Sequence, residues 1–377
     1  MTARLSRPHA AGLTAVVLLL ALYPQFGKDF VVEFVLTQAL ILGLIAASIV
    51  FLASYGGMIS LAQLLMAGIA GFMFGNAALE QGARGLNLGW NPWVAALFAV
   101  GVSTAVAFLL GALGSRTTGI YFLMLTLVYA VIGFTFFAQV VTVSGPGGVN
   151  GITAPEPFDD PVALYYLALA LSVLGYLGLR AAGRTNFGLA LQGVRDDAVR
   201  MGSLGFDVPL HRTLAFALAG FVAGIAGVLN VWLRGQIDPA SISIGPTLIL
   251  LIIAVIGGIS YFEGAWLGAL VYVLLETYTR SLPLIDRVGL TPDRFNTVIG
   301  LIVLLIMVLS PEGLVGIVER FRRGRGGAPG AGPVDPAEPS STTTSPSTSP
   351  STTPSTSPST GVGSAGHVGP GARVPLS

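Results

Sequence analysis

Residues 183–233 read GRTNFGLALQGVRDDAVRMGSLGFDVPLHRTLAFALAGFVAGIAGVLNVWL. The second part, Thr213 to Leu233, carries no charged side chain and is long enough to cross a bilayer as a helix. The first part, Gly183 to Arg212, places apolar and polar residues at helical spacing. On a helical wheel Phe187, Leu191, Val194, Ala198 and Met201 share one side, and Gln192, Arg195, Asp196 and Arg200 share the other. Asn186 is positioned to cap such a helix, and Asp196 and Arg200 have i,i+4 spacing. Gly202 and Gly205 are expected to stop it, and Pro209 to bar its return. The expectation is one short amphipathic helix in a loop that leads into a membrane span. Periodicity leaves three roles open for it. The helix could lie in the lipid interface, connect two spans, or insert its exposed face into a groove on a partner.

The rest of the chain repeats the apolar theme. Of its 377 residues 53% are hydrophobic and only 10% charged, against about 25% charged in soluble domains. So few polar groups cannot cover a globule in water, and lipid is the expected surroundings. Ten apolar, charge-poor segments of spanning character are visible. They are 10–26, 30–53, 58–79, 92–114, 119–141, 162–182, 213–233, 245–259, 264–280 and 295–310. The eighth is short and glycine-flanked, so a re-entrant or strongly tilted segment is expected there. The fold class is therefore all-α, a polytopic transmembrane bundle of about 8–10 membrane helices.

Arginine placement orients the bundle. With the N-terminus cytoplasmic and ten crossings, the cytoplasmic ends hold twelve arginines, including Arg180, Arg184, Arg195, Arg200 and Arg212. The outer loops then hold six basic residues. This asymmetry agrees with the positive-inside rule. Arg4 and Arg7 followed by an apolar run have the outline of a signal peptide. No small-x-small cleavage site follows, so residues 1–29 are read as an N-terminal segment with a first membrane helix. From 326 to 377 the chain turns to proline, serine and threonine, which cannot bury enough surface to order itself, and a disordered tail is expected. Several of the 50 glycines fall at small-xxx-small spacing, among them Gly71/Gly75, Gly220/Gly224 and Gly264/Gly268. Tight packing within one subunit is the expected use.

Several chemistries are absent from the pattern. A net charge of +1 provides no basic face for nucleic acid. There is no cysteine, and His9, His211 and His367 lack metal-ligand spacing, so no metal site is expected. The glycine-rich loop 145–151 has no Gly-Lys-Ser/Thr and cradles no phosphate; no nucleotide or other cofactor site is visible. No catalytic pair is evident, and the chain does not read as an enzyme. Polar residues inside the spans are few: Glu33, Gln63, Asn76, Gln139, Asn230, Glu276 and Asn296. Gln63, Asn76 and Glu276 are the candidate pathway residues, weighed against interhelical bonding for the amides and headgroup contact for Glu276.

The stretch 187–227 resembles the coupling loop and following helix of LivM-type permeases, the branched-chain amino acid family of ABC importers. The matching positions are Phe187 and Gly188, Arg195 and Asp196, and Leu204 and Gly205. YGGMISLAQ at 55–63, GIYFLMLTLVYA at 119–130, GPGGVNGIT at 145–153, AVIGGISYFEGAWLGA at 254–269 and SPEGLVG at 310–316 resemble further family segments in the same order. The resemblance spans about residues 30–316 and implies a permease domain there, with 183–212 as its cytoplasmic coupling loop. It also implies partners: a second homologous permease, two cytosolic ATP-binding subunits and an extracytoplasmic substrate-binding protein, assembled in a bacterial inner membrane with both termini cytoplasmic. The loops 143–160 and 234–243 are then expected to meet the binding protein. Departures stand at Ala62–Gln63, at 145–148, and at Ser260–Phe262 with Glu263 beside them. A urea permease of the same fold, an ATP-independent secondary transporter or channel, and an intramembrane enzyme are the rival readings. The secondary transporter calls for inverted repeats and paired buried charges.

Overall fold

The computed structural model describes residues 19–22, 24, 35–79, 88–145, 147–259, 261–281 and 300. All of them belong to the first of two units, which divide between Gly327 and Ala328. In chain order the elements are α1 (Thr37–Gly56), α2 (Gln63–Ala78), α3 (Pro92–Gly114), α4 (Ile120–Gln139), α5 (Val141–Ser144), β1 (Val149–Asn150) and α6 (Pro161–Arg184). Then come α7 (Asn186–Asp196), α8 (Ala198–Ser203), α9 (Val208–Arg234), β2 (Gln236–Ile237), a 3-10 turn Pro239–Ile242, α10 (Ile244–Gly257) and α11 (Phe262–Ser281).

Among the described residues, α1, α3, α4, α6 and α9 are long and apolar enough to cross a membrane, and α10 with α11 makes a sixth if the bent pair is one span. The chain is thus a helical, multi-pass membrane protein. The first and last of the ten expected segments lie largely outside the described residues, as do Glu33, Asn296, Ser260 and the tail 326–377.

Local sequence explains where the helices begin and end. Asn91 Oδ1 accepts from the Trp93 N–H at 3.0 Å with Pro92 in the first turn of α3, and Asp207 Oδ1 accepts from the Leu210 N–H at 3.0 Å at the head of α9. Pro209 thus sits inside the first turn of α9 and does not keep the helix away, because its missing N–H is unpaired in a first turn anyway. Gly57 and Gly235 end α1 and α9 with positive φ, 63° and 67°.

The core forms around α1 and α9. Their most apolar stretches are 78% and 72% buried within the chain, against 28%, 22% and 39% for α3, α4 and α6. α9 packs along α3, α2 and α1, and the other face of α1 meets α11, α10 and α6. Small residues let these backbones approach. A Cβ at Gly220 would strike Ala107, and one at Gly227 would strike the Ala67 carbonyl. Gly71 lies against Ile237 and Val231, and Gly75 against Val149 and Ile152. The small-xxx-small glycines are therefore used inside the chain. The peripheral helices show large apolar side chains outward, such as Leu97, Leu113, Tyr121 and Ile132.

Two expected segments take another form. The third was expected to span 58–79, but α2 is only 16 residues long and residues 57–62 are not helical. This irregular backbone is tolerated because neighbours supply bonds: the Leu61 N–H donates to Thr126 Oγ1 at 3.1 Å and the Ala62 N–H to Ser60 Oγ at 3.2 Å. The eighth and ninth form a V. α10 and α11 are bent by 119° at the break between them. Gly257, Gly264 and Gly268 line the crossing with backbone against backbone, and any Cβ there would meet a carbonyl oxygen or amide of the facing helix.

Candidate functional site

The loop 183–212 begins as a rigid corner. Thr185 alone separates α6 from α7, and it caps α7 by accepting from the Gly188 N–H at 3.4 Å. Asn186 was the expected cap, yet it lies in the first helical turn, where its side chain cannot reach back to an N–H two or three residues on. A Cβ at Gly188 would overlap the Ala182 carbonyl and Gly183, so only glycine lets the two helices meet this closely. Gln192 Nε2 donates to the Gly183 and Gly188 carbonyls at 3.2 and 3.1 Å and ties the corner again.

The expected single helix is two. Asp197 breaks it with extended backbone and caps α8, its Oδ1 accepting from the Arg200 N–H at 2.9 Å. The break separates Asp196 from Arg200, so their i,i+4 pair does not form. Asp196 pairs instead with Arg195, Oδ1 lying 2.8 Å from Nη2 and accepting from Nε at 2.9 Å. Gly205, with φ of 89°, closes α8, and Leu204 is left pointing outward. Leu191 and Val194 are buried as expected, and Met201 folds back on Gly193. Phe187 stacks on His211, with ring centroids 5.7 Å apart and planes 12° off parallel.

The surface left outward is more apolar than the wheel suggested. Gln192 and Arg195 are engaged by their own chain, whereas Leu189, Val199 and Leu204 are 55%, 84% and 65% exposed. Asp196 and Arg200 are exposed beside them. Exposed leucines and valines on a short loop suit burial against a partner.

This loop is locked to the YGG turn that ends α1. Arg195 donates through Nη1 to the Ser54 carbonyl. A Cβ at Gly57 would come within 2.5 Å of Arg195 Cγ, and one at Gly183 would overlap the Tyr55 ring. Tyr55 continues into an aromatic group with Phe51 and Phe262, at 5.6 and 5.5 Å between centroids. Phe262 opens α11. Beside it Glu263 pairs with Arg180 of α6 at 3.3 Å and accepts from the Tyr176 hydroxyl at 2.6 Å. Sequence reading singled out Glu263 only as a departure and Arg180 only as a positive charge at a helix end. Their joining was detectable in one respect: Glu263 is a single charge in an otherwise uncharged run, and such a charge calls for a partner.

The candidate pathway residues do not converge. Gln63 and Asn76 lie thirteen residues apart on α2, about 20 Å along its axis. Asn76 Nδ2 donates to the Phe72 and Val143 carbonyls at 2.8 and 2.7 Å, joining α2 to α5. Gln63 is fully buried; its Oε1 accepts from Ser48 Oγ at 3.4 Å, and Nε2 has no partner. Glu276 is half-buried on α11. At the opposite end of α9 from the loop, 143–160 and 234–243 come together: β1 and β2 pair antiparallel, Val149 opposite Ile237 and Asn150 opposite Gln236. The Ile152 N–H adds a bond to the Gly235 carbonyl at 3.0 Å.

A family model described as "Branched-chain amino acid transport system / permease component" matches residues 31–308 of the chain. The high-affinity branched-chain amino acid transport system permease proteins LivM of Salmonella typhimurium and Escherichia coli are each 24% identical over 284 residues, covering 68% of this chain and 64% of each relative. A probable branched-chain amino acid transport permease protein LivH of Methanocaldococcus jannaschii is 28% identical over 137 residues, covering 36% of this chain and 42% of that protein. The chain thus spans somewhat less than two thirds of the LivM proteins' length. No solved structure matches it.

Proposed function

The chain belongs to the family of branched-chain amino acid transport permease components, and from that premise we propose that it is the membrane-spanning permease subunit of an ABC importer for branched-chain amino acids. The observation that carries this reading is the loop 183–212: a rigid two-helix projection, welded to α6 and to the end of α1, with leucine and valine side chains outward. A projection built in this way transmits force, because its base cannot hinge.

In the proposed assembly the loop faces the cytoplasm and docks on one of two ATP-binding subunits. Leu189, Val199 and Leu204 enter its groove, with Asp196 and Arg200 at the rim. Phe187, Gly188, Arg195 and Gly205 hold the loop's shape. A second, homologous permease completes the pathway. A binding protein delivers substrate at the paired β1–β2 loops at the other end of α9. ATP-driven closure of the ATPases moves the loop, and the bundle alternates its opening across the inner membrane. This chain supplies no step of bond chemistry; its part is to bind, guide and rock.

The test is uptake in the native host with this gene deleted and then restored. Labelled leucine uptake is expected to fall on deletion, to return with the gene, and to be competed by unlabelled isoleucine and valine. Depletion of ATP at constant membrane potential is expected to abolish it. Loss of labelled urea uptake alone would keep the architecture and overturn the substrate; uptake insensitive to ATP would overturn the ABC reading.

A further inference from the structure

We propose that the Arg180–Glu263 ion pair is the joint through which the loop 183–212 moves the α10–α11 hairpin, making both residues positioning residues for transport. The inference rests on the ABC-importer reading above. It starts from charge placement. α6 carries no charge from Pro161 to Leu179, so Arg180 is its first, and Glu263 is the only Asp, Glu, Lys, Arg or His between Pro239 and Leu275. Charges from two separate apolar helices meet at 3.3 Å. Tyr176 completes the group. Its hydroxyl donates to Glu263 Oε1 at 2.6 Å and accepts from Arg180 Nη1, its ring lies under the guanidinium at 5.6 Å, and its other edge meets Trp266 at 5.8 Å. The pair is only partly enclosed, with Arg180 and Glu263 side chains 21% and 46% exposed, so its direction comes from the Tyr176 hydroxyl, which bonds to both partners at once.

The position of this group gives it a mechanical role. Arg180 is four residues before the end of α6, about 6 Å from the corner, and the corner is fixed to α7 by Gly188 and Gln192. Glu263 is the second residue of α11, directly after the bend. A displacement of the loop therefore reaches the apex of the hairpin through one turn of α6 and one ion pair. The neighbouring contact at this end, Phe262 on Phe51 and Tyr55, is between tilted rings and carries no charge. The hairpin is itself a two-armed element whose halves meet at glycine, so its apex is the natural place to drive it.

The assembled transporter, with its ATP-binding, permease and substrate-binding partners, is reconstituted in vesicles, and leucine uptake and ATP hydrolysis are measured together. In Glu263→Gln and in Arg180→Gln, leucine moved per ATP is expected to fall by about fivefold or more, the lower bound of usual coupling energies, while hydrolysis continues. The swapped pair Arg180→Glu with Glu263→Arg is expected to restore most of the ratio. An unchanged ratio in both single variants overturns the joint. The chain has no cysteine, so Arg180→Cys with Glu263→Cys can be bridged by a reversible bis-thiosulfonate linker, which keeps the question open to test if the single variants fail to fold. Coupling is expected with the linker in place and lost on reduction; equal coupling before and after reduction overturns the proposal. Absence of ATP-driven uptake by the unaltered chain overturns the importer reading as well, whereas failure of the variants alone to uncouple leaves that reading standing.

Discussion

Gln63 shows what a single residue's surroundings can reveal. The sequence marks it as a polar group in a span and as a departure beside Ala62. The structure encloses it completely and gives its Nε2 no partner. An unsatisfied buried donor costs about 1–3 kcal/mol, and a leucine of similar size removes that cost. Gln63→Leu is therefore expected to raise the thermal midpoint of the detergent-purified protein. If the midpoint falls instead, the amide has a partner in the native membrane. Should the midpoint rise while leucine uptake is lost, Gln63 belongs to the pathway. Asn76, chosen on the same grounds, is a brace: its Nδ2 donates to backbone carbonyls on α2 and on α5. Residue type identified both, but the contrast between brace and orphan depends on neighbours 67 positions away in one case and 15 in the other.

At the scale of elements, charge-poor apolar runs marked every long described helix, with the start off by five residues at α9, expected at 213–233 and found at Val208–Arg234, and failed at the breaks. Asp197 and the turn 57–62 interrupt helices that the pattern alone carries straight through. Each break is held by a side chain accepting from a backbone N–H, Asp197 to Arg200 and Thr126 to Leu61. Such bonds add no hydrophobic signal, so the pattern cannot register them. The bend between α10 and α11 was partly legible, since glycines flank the short eighth segment. Its tightness was not, because it depends on Gly264 and Gly268 meeting Gly257 and Ile253 across the V. Gly264→Val places side-chain atoms where a carbonyl oxygen stands. It is expected to destabilise the protein by about 1–3 kcal/mol or more and to lower folded yield in detergent. Gly245→Val, at a glycine with open space around it, serves as the comparison and is expected to be mild. Equal behaviour of the two variants would argue against the hairpin packing.

For the whole molecule, the two ends of the bundle differ in kind. One carries the welded loop, the YGG turn and, among the described residues, most of the arginines; the other carries the β1–β2 ladder. The absence of cysteine makes this polarity directly measurable. Ser203→Cys, in the exposed end of α8, is expected to react with a membrane-impermeant maleimide only in inside-out vesicles. Gln236→Cys, on exposed β2, is expected to react only in intact, right-side-out preparations. The reverse labelling would invert the proposed topology and place the loop away from the ATPases; labelling of both from one side would mean that α9 does not cross.

The sequence by itself determined the class: a helical membrane protein of this permease family, with one amphipathic loop between long spans. Composition and period 3.6 suffice for the membrane helices and the loop, because a helix meets its backbone hydrogen bonds locally and needs no knowledge of its neighbours; the family rests on the ordered motifs from Tyr55 to Gly316. Only the tertiary structure decided which residues act together. Arg195 on Ser54, Tyr55 on Gly183 and Glu263 on Arg180 are separated by 141, about 130 and 83 positions. Such meetings are set by how helices cross in three dimensions, and crossing is governed by small residues and isolated polar groups that leave no periodic trace in the chain.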